Sequence, residues 1–429
     1  MNKLSRRGFL QLAGASSAAA AAGLWGCGEA APKTGAGGNV VIIGGGFGGA
    51  TAARYLRQWD PSIKVTLIER NQAYSTCPFS NLTLGGLKTI SDQNVSFEGL
   101  KKAGVNVVFD EVTKIDFAAR KVSTKGGASH GYDRLIVSPG ISLNYGPLEG
   151  MKEADAAVIP HAWLGGGDQY KLLGDQIKAM KDGGTYVQVC PPDPFRCPPG
   201  PYERAGMVAH YLKQNKPKSK IILLDSKSKF SKQGLFLAGW KSEYGSMIEW
   251  RGADKDGKVS KIDVKSKTCH TEFGSVKADV LCVIPPQKAG HLAIASGLAD
   301  EKSGFCPVDF KTFESTKQKN VHVIGDSSIA PPLPKSGYAA NSEAKVCAAA
   351  VVALLNGEEP GTPSWINTCY SLVGPQYGIS VAGVYALNEE GKIAEVKGSG
   401  GISGATTDRK LEAVYAQSWY NNIVADTWG

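Results

Sequence analysis

The spacing of apolar residues divides the chain into alternating strand and helix signatures. Residues 40–43 form a short β-branched run, read as a buried strand; residues 50–56 follow with helical character, and residues 65–68 form a second apolar strand ending at Glu69. Short strands are expected over residues 105–109, 112–117, 121–123 and 135–137, joined by glycine-containing turns. A second unit opens at residues 169–180, where Leu172, Leu173, Ile177 and Met180 keep helical spacing. It continues through a strand at 185–189, a helix at 202–212 and a strand at 220–224 ending at Asp225. Residues 233–244 read as a helix and 259–284 as a β-meander. Residues 321–324 form one more strand, and 337–355 a small-residue helix. Beyond a Glu-, Pro- and Gly-rich boundary at 357–363 comes a final segment of strands and turns. In its last stretch, 415–429, Tyr415, Trp419 and Ile423 fall four apart, a stripe read as core packing, with membrane contact as the sharper alternative.

The first strand feeds Gly44-Gly45-Gly46-Phe47-Gly48-Gly49, which fits G-x-G-x-x-G, and Glu69 falls about 20 residues past the last glycine. Gly44 allows the tight turn, Gly46 lets a pyrophosphate approach the backbone, and Gly49 lets helix and strand pack closely. The helix N-terminus offers N–H groups to the phosphates, and Glu69 accepts from the adenosine ribose. Strand, helix, second strand and terminal acid together indicate dinucleotide binding.

Which dinucleotide is decided near the other end. The strand at 321–324 runs into Gly325-Asp326, and flavoproteins with two dinucleotide domains use such a pair to hold the ribityl-phosphate arm. Tyr132-Asp133-Arg134-Leu135-Ile136-Val137-Ser138-Pro139-Gly140 resembles the segment that closes their FAD domain. This resemblance makes FAD the primary cofactor. It implies an α/β fold of two Rossmann-like domains of the FAD/NAD disulfide-reductase superfamily plus a C-terminal interface domain. The FAD-binding domain is expected over 38–155 and 291–357, the second Rossmann-like domain over 156–290, and the interface domain over 358–429.

Composition adds bounds. With 429 residues and 42% apolar residues, the chain can build two or three domains with cores of their own. The formal charge of +9 comes without basic clusters interleaved with aromatics, so it is read as a solvated face, not a nucleic-acid site. Residues 1–30 are set aside as a leader: Ser5-Arg6-Arg7-Gly8-Phe9-Leu10 is a twin-arginine consensus, followed by an Ala-rich stretch too weak to span a membrane. Export to the periplasm, already folded around a cofactor, is expected. Leu24-Trp25-Gly26-Cys27 is similar to a lipobox, which leaves two fates open: lipid attachment at Cys27 or cleavage near Ala30.

In the second unit a nicotinamide-using protein would carry another glycine fingerprint after the strand at 185–189. Here stands Cys190-Pro191-Pro192-Asp193-Pro194-Phe195-Arg196-Cys197-Pro198-Pro199-Gly200-Pro201. Prolines lack the N–H groups that cradle a pyrophosphate, so nicotinamide is not expected as a substrate. There are nine cysteines, no C-x-x-C-H for c-type haem, and six histidines that do not cluster at metal-ligand spacing. Cys282 and Cys347 have buried-thiol contexts; Cys190 and Cys197 flank the proline loop at a spacing that permits pairing. Cys77, in Tyr74-Ser75-Thr76-Cys77-Pro78-Phe79-Ser80-Asn81, has no near neighbour; packing and covalent flavin attachment are both open to it.

These pieces, with Pro194-Phe195-Arg196-Cys197-Pro198-Pro199-Gly200-Pro201-Tyr202-Glu203-Arg204 and Ser418-Trp419-Tyr420, resemble the flavoprotein subunit of flavocytochrome c sulfide dehydrogenase. More distantly they resemble the sulfide:quinone oxidoreductases. The likeness runs from about residue 38 onward. It implies a thioether from Cys77 to FAD and a redox-active disulfide between Cys197 and Cys369, leaving Cys190 outside the pair. It also implies sulfide as substrate and a separate c-type cytochrome subunit as electron acceptor. Hydrosulfide would open the disulfide by thiol exchange, leaving a persulfide on one cysteine and a thiolate on the other that delivers two electrons to the flavin. A quinone-reducing enzyme and a non-catalytic redox flavoprotein of a sulfur-oxidising complex are the alternatives.

Overall fold

The computed structural model describes residue 35, residues 37–165 and residues 167–429. The expected leader, with Arg6, Arg7 and Cys27, lies outside the described residues. Strand β1 (Gly38–Ile43) is central in a five-stranded sheet, which explains why its β-branched residues are almost completely buried. It pairs in parallel with β2 (Ile63–Glu69) on one side and with β4 (Arg134–Val137) on the other; β3 (Asn106–Phe109) extends the sheet beyond β2. Helix α1 (Phe47–Trp59) crosses over between β1 and β2. All these crossovers place the loops that follow the strands at one edge, where ligands bind in open α/β sheets.

The second unit contains α2 (Asp168–Ala179), β5 (Thr185–Val189), α3 (Gly200–Asn215), β6 (Lys220–Leu224), α4 (Gln233–Tyr244), β7 (Ile248–Arg251) and β8 (Val280–Val283). Its four-stranded parallel sheet has the order β7-β6-β5-β8. The expected meander over 259–284 is thus corrected. Lys261–Asp263, Thr268–His270 and Ser275–Lys277 form an antiparallel sheet, but β8 leaves it for the parallel one. Burial gives the reason. Each of the three hairpin strands buries its middle residue alone, whereas all four residues of β8 are buried and need cover on both faces.

The chain then returns to the first sheet, where β9 (Val321–Val323) pairs with β4. Helix α5 (Gly337–Leu355) packs along α1. The last segment is an antiparallel sheet of β10 (Ser364–Gly374), β11 (Tyr377–Leu387) and β12 (Ile393–Glu395), covered by α6 (Arg409–Trp428). Asp408 caps α6 by accepting from the Lys410 and Leu411 amides at 2.8 and 3.2 Å. The buried line of α6 runs through Glu412, Ala416, Tyr420, Ile423 and Thr427, not through Tyr415 and Trp419. Tyr415 is 48% exposed. The expected stripe is rotated by one residue because the α6 backbone lies directly on Gly378 of β11, where a Cβ would fall 2.4 Å from the Ala413 nitrogen.

Candidate active site

Both parallel sheets and the C-terminal sheet open onto one cavity of about 1690 Å³. At the end of β1, Gly44 turns at φ +95°, and its amide donates to the Ile68 carbonyl at 2.9 Å. A Cβ on Gly49 would lie 1.9 Å from the Gly44 carbonyl oxygen, so α1 packs against the turn only because that position has none. Gly46 caps α1 without a side-chain bond, and no acidic residue stands in the first turn, so that end of the helix is left positive. Glu69 faces the same cavity; one carboxylate oxygen accepts from the Gly45 amide at 2.7 Å and the other from Asn71 at 2.9 and 3.0 Å. The oxygen that accepts from Gly45 alone keeps a second lone pair for a ribose hydroxyl.

Gly325 and Asp326 follow β9 into the cavity, with Gly325 at φ +71°. The Gly325 amide is held by Glu343 of α5 at 2.6 Å, which leaves the Asp326 side chain directed at the space between the domains. Its Oδ1 is buried without a hydrogen-bond partner. Burial raises the Asp326 pKa, opposed by Arg196 and Lys335. An orphaned acceptor of this kind suits a ligand hydroxyl, and the glycine turn and Glu69 line the same space. These residues fit a flavin dinucleotide.

Cys77, Cys197 and Cys369 all line this cavity, although they lie in three different parts of the chain. Cys77 sits in a turn held by the Ser80 amide and hydroxyl on its carbonyl, at 3.1 and 2.7 Å. Asn81 ties that turn to the start of α3 by donating to the Gly200 carbonyl at 3.1 Å and accepting from Arg204 at 3.1 Å. Cys197 stands just before α3 with φ +57°, its amide fixed on the Lys335 carbonyl at 2.7 Å. Non-glycine residues pay for such a conformation with backbone strain, and they concentrate at functional sites. Cys369 lies within β10.

The Cys77 thiol is held below its ordinary pKa, first by a hydrogen bond from Cys197, with Arg196 adding to it against burial. The eight described cysteines are free thiols, so no bond joins Cys197 to Cys369 here. Cys190 is buried away from the cavity with the Gln188 amide 3.8 Å from its sulfur, and does not meet Cys197. Of the glycines and acids read from the sequence, Gly44, Gly46, Glu69, Gly325 and Asp326 line the cavity; Gly49 supports it from behind.

Sequence reasoning missed three charged groups at the cysteines. Arg196 lies in the proline loop, its guanidinium on the Trp163 carbonyl and its Nε without a partner. Glu203 is the first-turn acid of α3, and burial raises its pKa against the pull of Lys232. Both stand inside the run Phe195-Arg196-Cys197 to Glu203, so the signal was adjacent to the cysteine. Lys232 carried no signal.

The second sheet treats its own terminal acid differently. Asp225 is fully buried; Tyr202 and Trp250 donate to one oxygen at 2.6 and 3.1 Å, and Lys227 donates to the other at 2.7 Å. Phe230 stacks on Tyr202 with ring centroids 3.7 Å apart. An aromatic cluster thus packs around the terminal acid of this sheet.

Comparison with known proteins follows the same division. The family described as the central part of the sulfide dehydrogenase [flavocytochrome c] flavoprotein chain matches residues 170–285. Flavocytochrome c sulphide dehydrogenase, flavin-binding, matches residues 361–428, and pyridine nucleotide-disulphide oxidoreductase matches 38–162. The mitochondrial sulfide:quinone oxidoreductase of Dictyostelium discoideum is 26% identical over 320 residues, covering 72% of this chain and 69% of that protein. The sulfide dehydrogenase [flavocytochrome c] flavoprotein chain of Chlorobaculum thiosulfatiphilum is 67% identical over 42 residues, 10% of this chain and 88% of that one. The crystal structure of the sulfide:quinone oxidoreductase from Aquifex aeolicus superposes with a TM-score of 0.69 at 19% identity, covering 91% of each chain, a likeness of fold. With its central and flavin-binding segments both matched and its two-dinucleotide-domain fold in place, the chain belongs to the flavoprotein-chain family of the flavocytochrome c sulfide dehydrogenases.

Proposed function

We propose that this chain oxidises hydrosulfide to sulfur or polysulfide through a disulfide formed by Cys197 and Cys369, and hands the electrons to a separate c-type cytochrome. It is a sulfide-oxidising flavoprotein. The observation that carries the finer reading is the convergence of Cys77, Cys197 and Cys369 on the cavity that also holds the glycine turn and Asp326. FAD, when bound, supplies a two-electron acceptor that can release electrons singly. Glu69 and Asp326 would hold its ribose and ribityl hydroxyls, and the N-terminus of α1 its pyrophosphate. Cys77, its thiol pKa already lowered, would carry the ring as a thioether. Cys197 and Cys369 would take the sulfur of the substrate by exchange. The filled pocket around Asp225 supports a reaction without nicotinamide. The twin-arginine sequence at Arg6 and Arg7 supports export to the periplasm, with Cys27 a candidate for lipid attachment.

A second reading is favoured by relatives that match most of this chain and are sulfide:quinone oxidoreductases: the acceptor is then a quinone. Anaerobic assays with sulfide and either cytochrome c or a soluble quinone analogue decide between them. Cytochrome reduction is expected, lost in Cys197→Ser and Cys369→Ser and kept in Cys190→Ser. Reduction of the quinone analogue alone would replace the proposal with the second reading.

A further inference from the structure

Cys369 and Ser371 sit two residues apart on β10 and therefore share one face of the strand. Against that face lies Lys232, the residue before α4. Its ammonium donates to the Ser371 hydroxyl at 2.7 Å and approaches the Cys369 carbonyl at 3.4 Å and the Cys369 sulfur at 4.0 Å. Ser371 in turn donates to Glu203 of α3, so the acid is joined to the lysine through the hydroxyl. Lys232 is only 6% exposed and is held at φ +60°. A buried, flexible cation in a left-handed backbone conformation is disfavoured on both counts, and it stands within reach of one of the two sulfurs. A surface lysine serving only the fold would need neither feature.

We propose that Lys232 sets the direction in which the Cys197–Cys369 disulfide opens, by holding the negative charge of Cys369 as it leaves. The inference rests on the disulfide reading given above. Hydrosulfide attacks the Cys197 sulfur; a new S–S bond forms there while the Cys197–Cys369 bond breaks. The electron pair of the broken bond stays on Cys369 as a thiolate, and the proton brought by hydrosulfide remains on the outer sulfur of the Cys197 persulfide. One negative charge enters and one is left, so the step needs no further reactant. Exchange favours the sulfur whose thiolate is better stabilised as the leaving group.

The groups around each sulfur differ. Cys369 faces Lys232 from the turn before α4, Glu203 from α3, Cys77 and Cys197 across the cavity, and Ser371 on its own strand. Burial raises its thiol pKa and Lys232 acts against that rise. Cys197 is held well above the ordinary range, first by its hydrogen bond to Cys77 and then by burial, with Glu203 adding to both. A thioether at Cys77 would remove that hydrogen bond but leave the burial and the acid. Glu203 stands near both sulfurs, but attack in the opposite direction would expel a thiolate that Lys232 does not face; the neighbouring Arg196 has its guanidinium on the Trp163 carbonyl.

The test uses the flavin-loaded full chain. Non-reducing peptide mapping first establishes the Cys197–Cys369 bridge; its absence overturns the disulfide reading and this inference with it. Brief exposure to sulfide, followed by alkylation and mass spectrometry, should then place the extra sulfur on the Cys197 peptide. Separately, the phosphine-reduced protein is alkylated with iodoacetamide across a pH series. Cys369 should become reactive at lower pH than Cys197. In Lys232→Met its midpoint should rise by about one pH unit or more, with Lys232→Arg close to wild type. Extra sulfur on Cys369, or equal midpoints in the wild-type protein, overturns the inference even if Lys232→Met fails to fold. A bridge that forms and opens with an unshifted Cys369 midpoint in a folded Lys232→Met overturns it while leaving the disulfide reading intact.

Discussion

The indole N–H of Trp428 donates to the carbonyl of Gly45 at 3.1 Å, across 383 positions of sequence. The last turn of α6 thereby holds the glycine turn that receives the dinucleotide. Trp428 also stacks on Tyr74 at 5.2 Å and meets Phe47 edge-on at 4.8 Å, and both of those residues line the cavity. One residue earlier, Thr427 meets Thr51 of α1 at 3.3 Å; Asp426 accepts from Tyr55 of α1 at 2.6 Å and from Asn341 and Lys345 of α5 at 2.8 and 2.7 Å. Helices α1 and α5, whose N-termini line the cavity, are thus pinned by a third helix. Trp428→Ala is expected to destabilise the protein by about 3–5 kcal/mol and lower the flavin-to-protein ratio on purification. Trp428→Phe keeps the ring packing and loses one hydrogen bond, about 1 kcal/mol, with flavin content nearly unchanged. Denaturant titration and absorbance give both quantities, and an unaltered flavin ratio in Trp428→Ala would remove α6 from cofactor retention.

Covalent attachment at Cys77 has a simple signature. Acid precipitation of the wild-type protein should carry the yellow colour down with the polypeptide. Cys77→Ser should fold, since its carbonyl and not its sulfur anchors the turn through Ser80, and should release its flavin into the supernatant. Colour left in the wild-type supernatant would show that the flavin is held by contacts alone.

Anaerobic mixing with NADH should leave the flavin absorbance unchanged over minutes, while dithionite bleaches it. The reason is physical occupancy. Asp225 has spent its carboxylate on Tyr202, Trp250 and Lys227, and Phe230 closes over the top. The proline loop before α3 offers no run of amides in its place. Bleaching by NADH in a stopped-flow trace would require this pocket to open.

The parts of the site that could be read from residues alone are those whose chemistry is local. The β1 turn, Glu69 and Gly325-Asp326 are short motifs in which backbone conformation dictates residue type. Lys232 is different: it lies among serines and other lysines, and only the arrival of β10 beneath it gives it a sulfur to face. The plug over Asp225 was hidden for the same reason, since Tyr202 of α3, Phe230 of the loop before α4 and Trp250 of β7 meet only in the fold. The α6 stripe was displaced because Gly378 admits the helix backbone itself, a contact that side-chain spacing does not encode. Periodicity likewise could not tell β8 from the hairpins before it, as the difference lies in what covers its second face.

A pH dependence follows from His322 in β9, which is fully buried. Its Nδ1–H donates to the Thr312 carbonyl at 2.9 Å, whereas Nε2 has no partner. Burial pushes the pKa of this histidine down to about 4, with the Thr312 bond opposing; Arg134 lowers it further, and Glu314 and Asp309 act in the other direction. A folded-state pKa below the ordinary value means that the unfolded chain binds the proton first. Stability from this group is therefore complete above the ordinary histidine range near 6.5 and is lost as pH falls toward 4. Protonation would leave a second N–H without an acceptor inside the first sheet, where an unmet donor is worth on the order of 1–3 kcal/mol. Equilibrium unfolding between pH 7 and pH 4 should show the wild-type protein losing stability across this window. His322→Leu should start lower, since it gives up the Thr312 bond, and fall less steeply. Parallel profiles for the two proteins would assign the acid sensitivity to other groups.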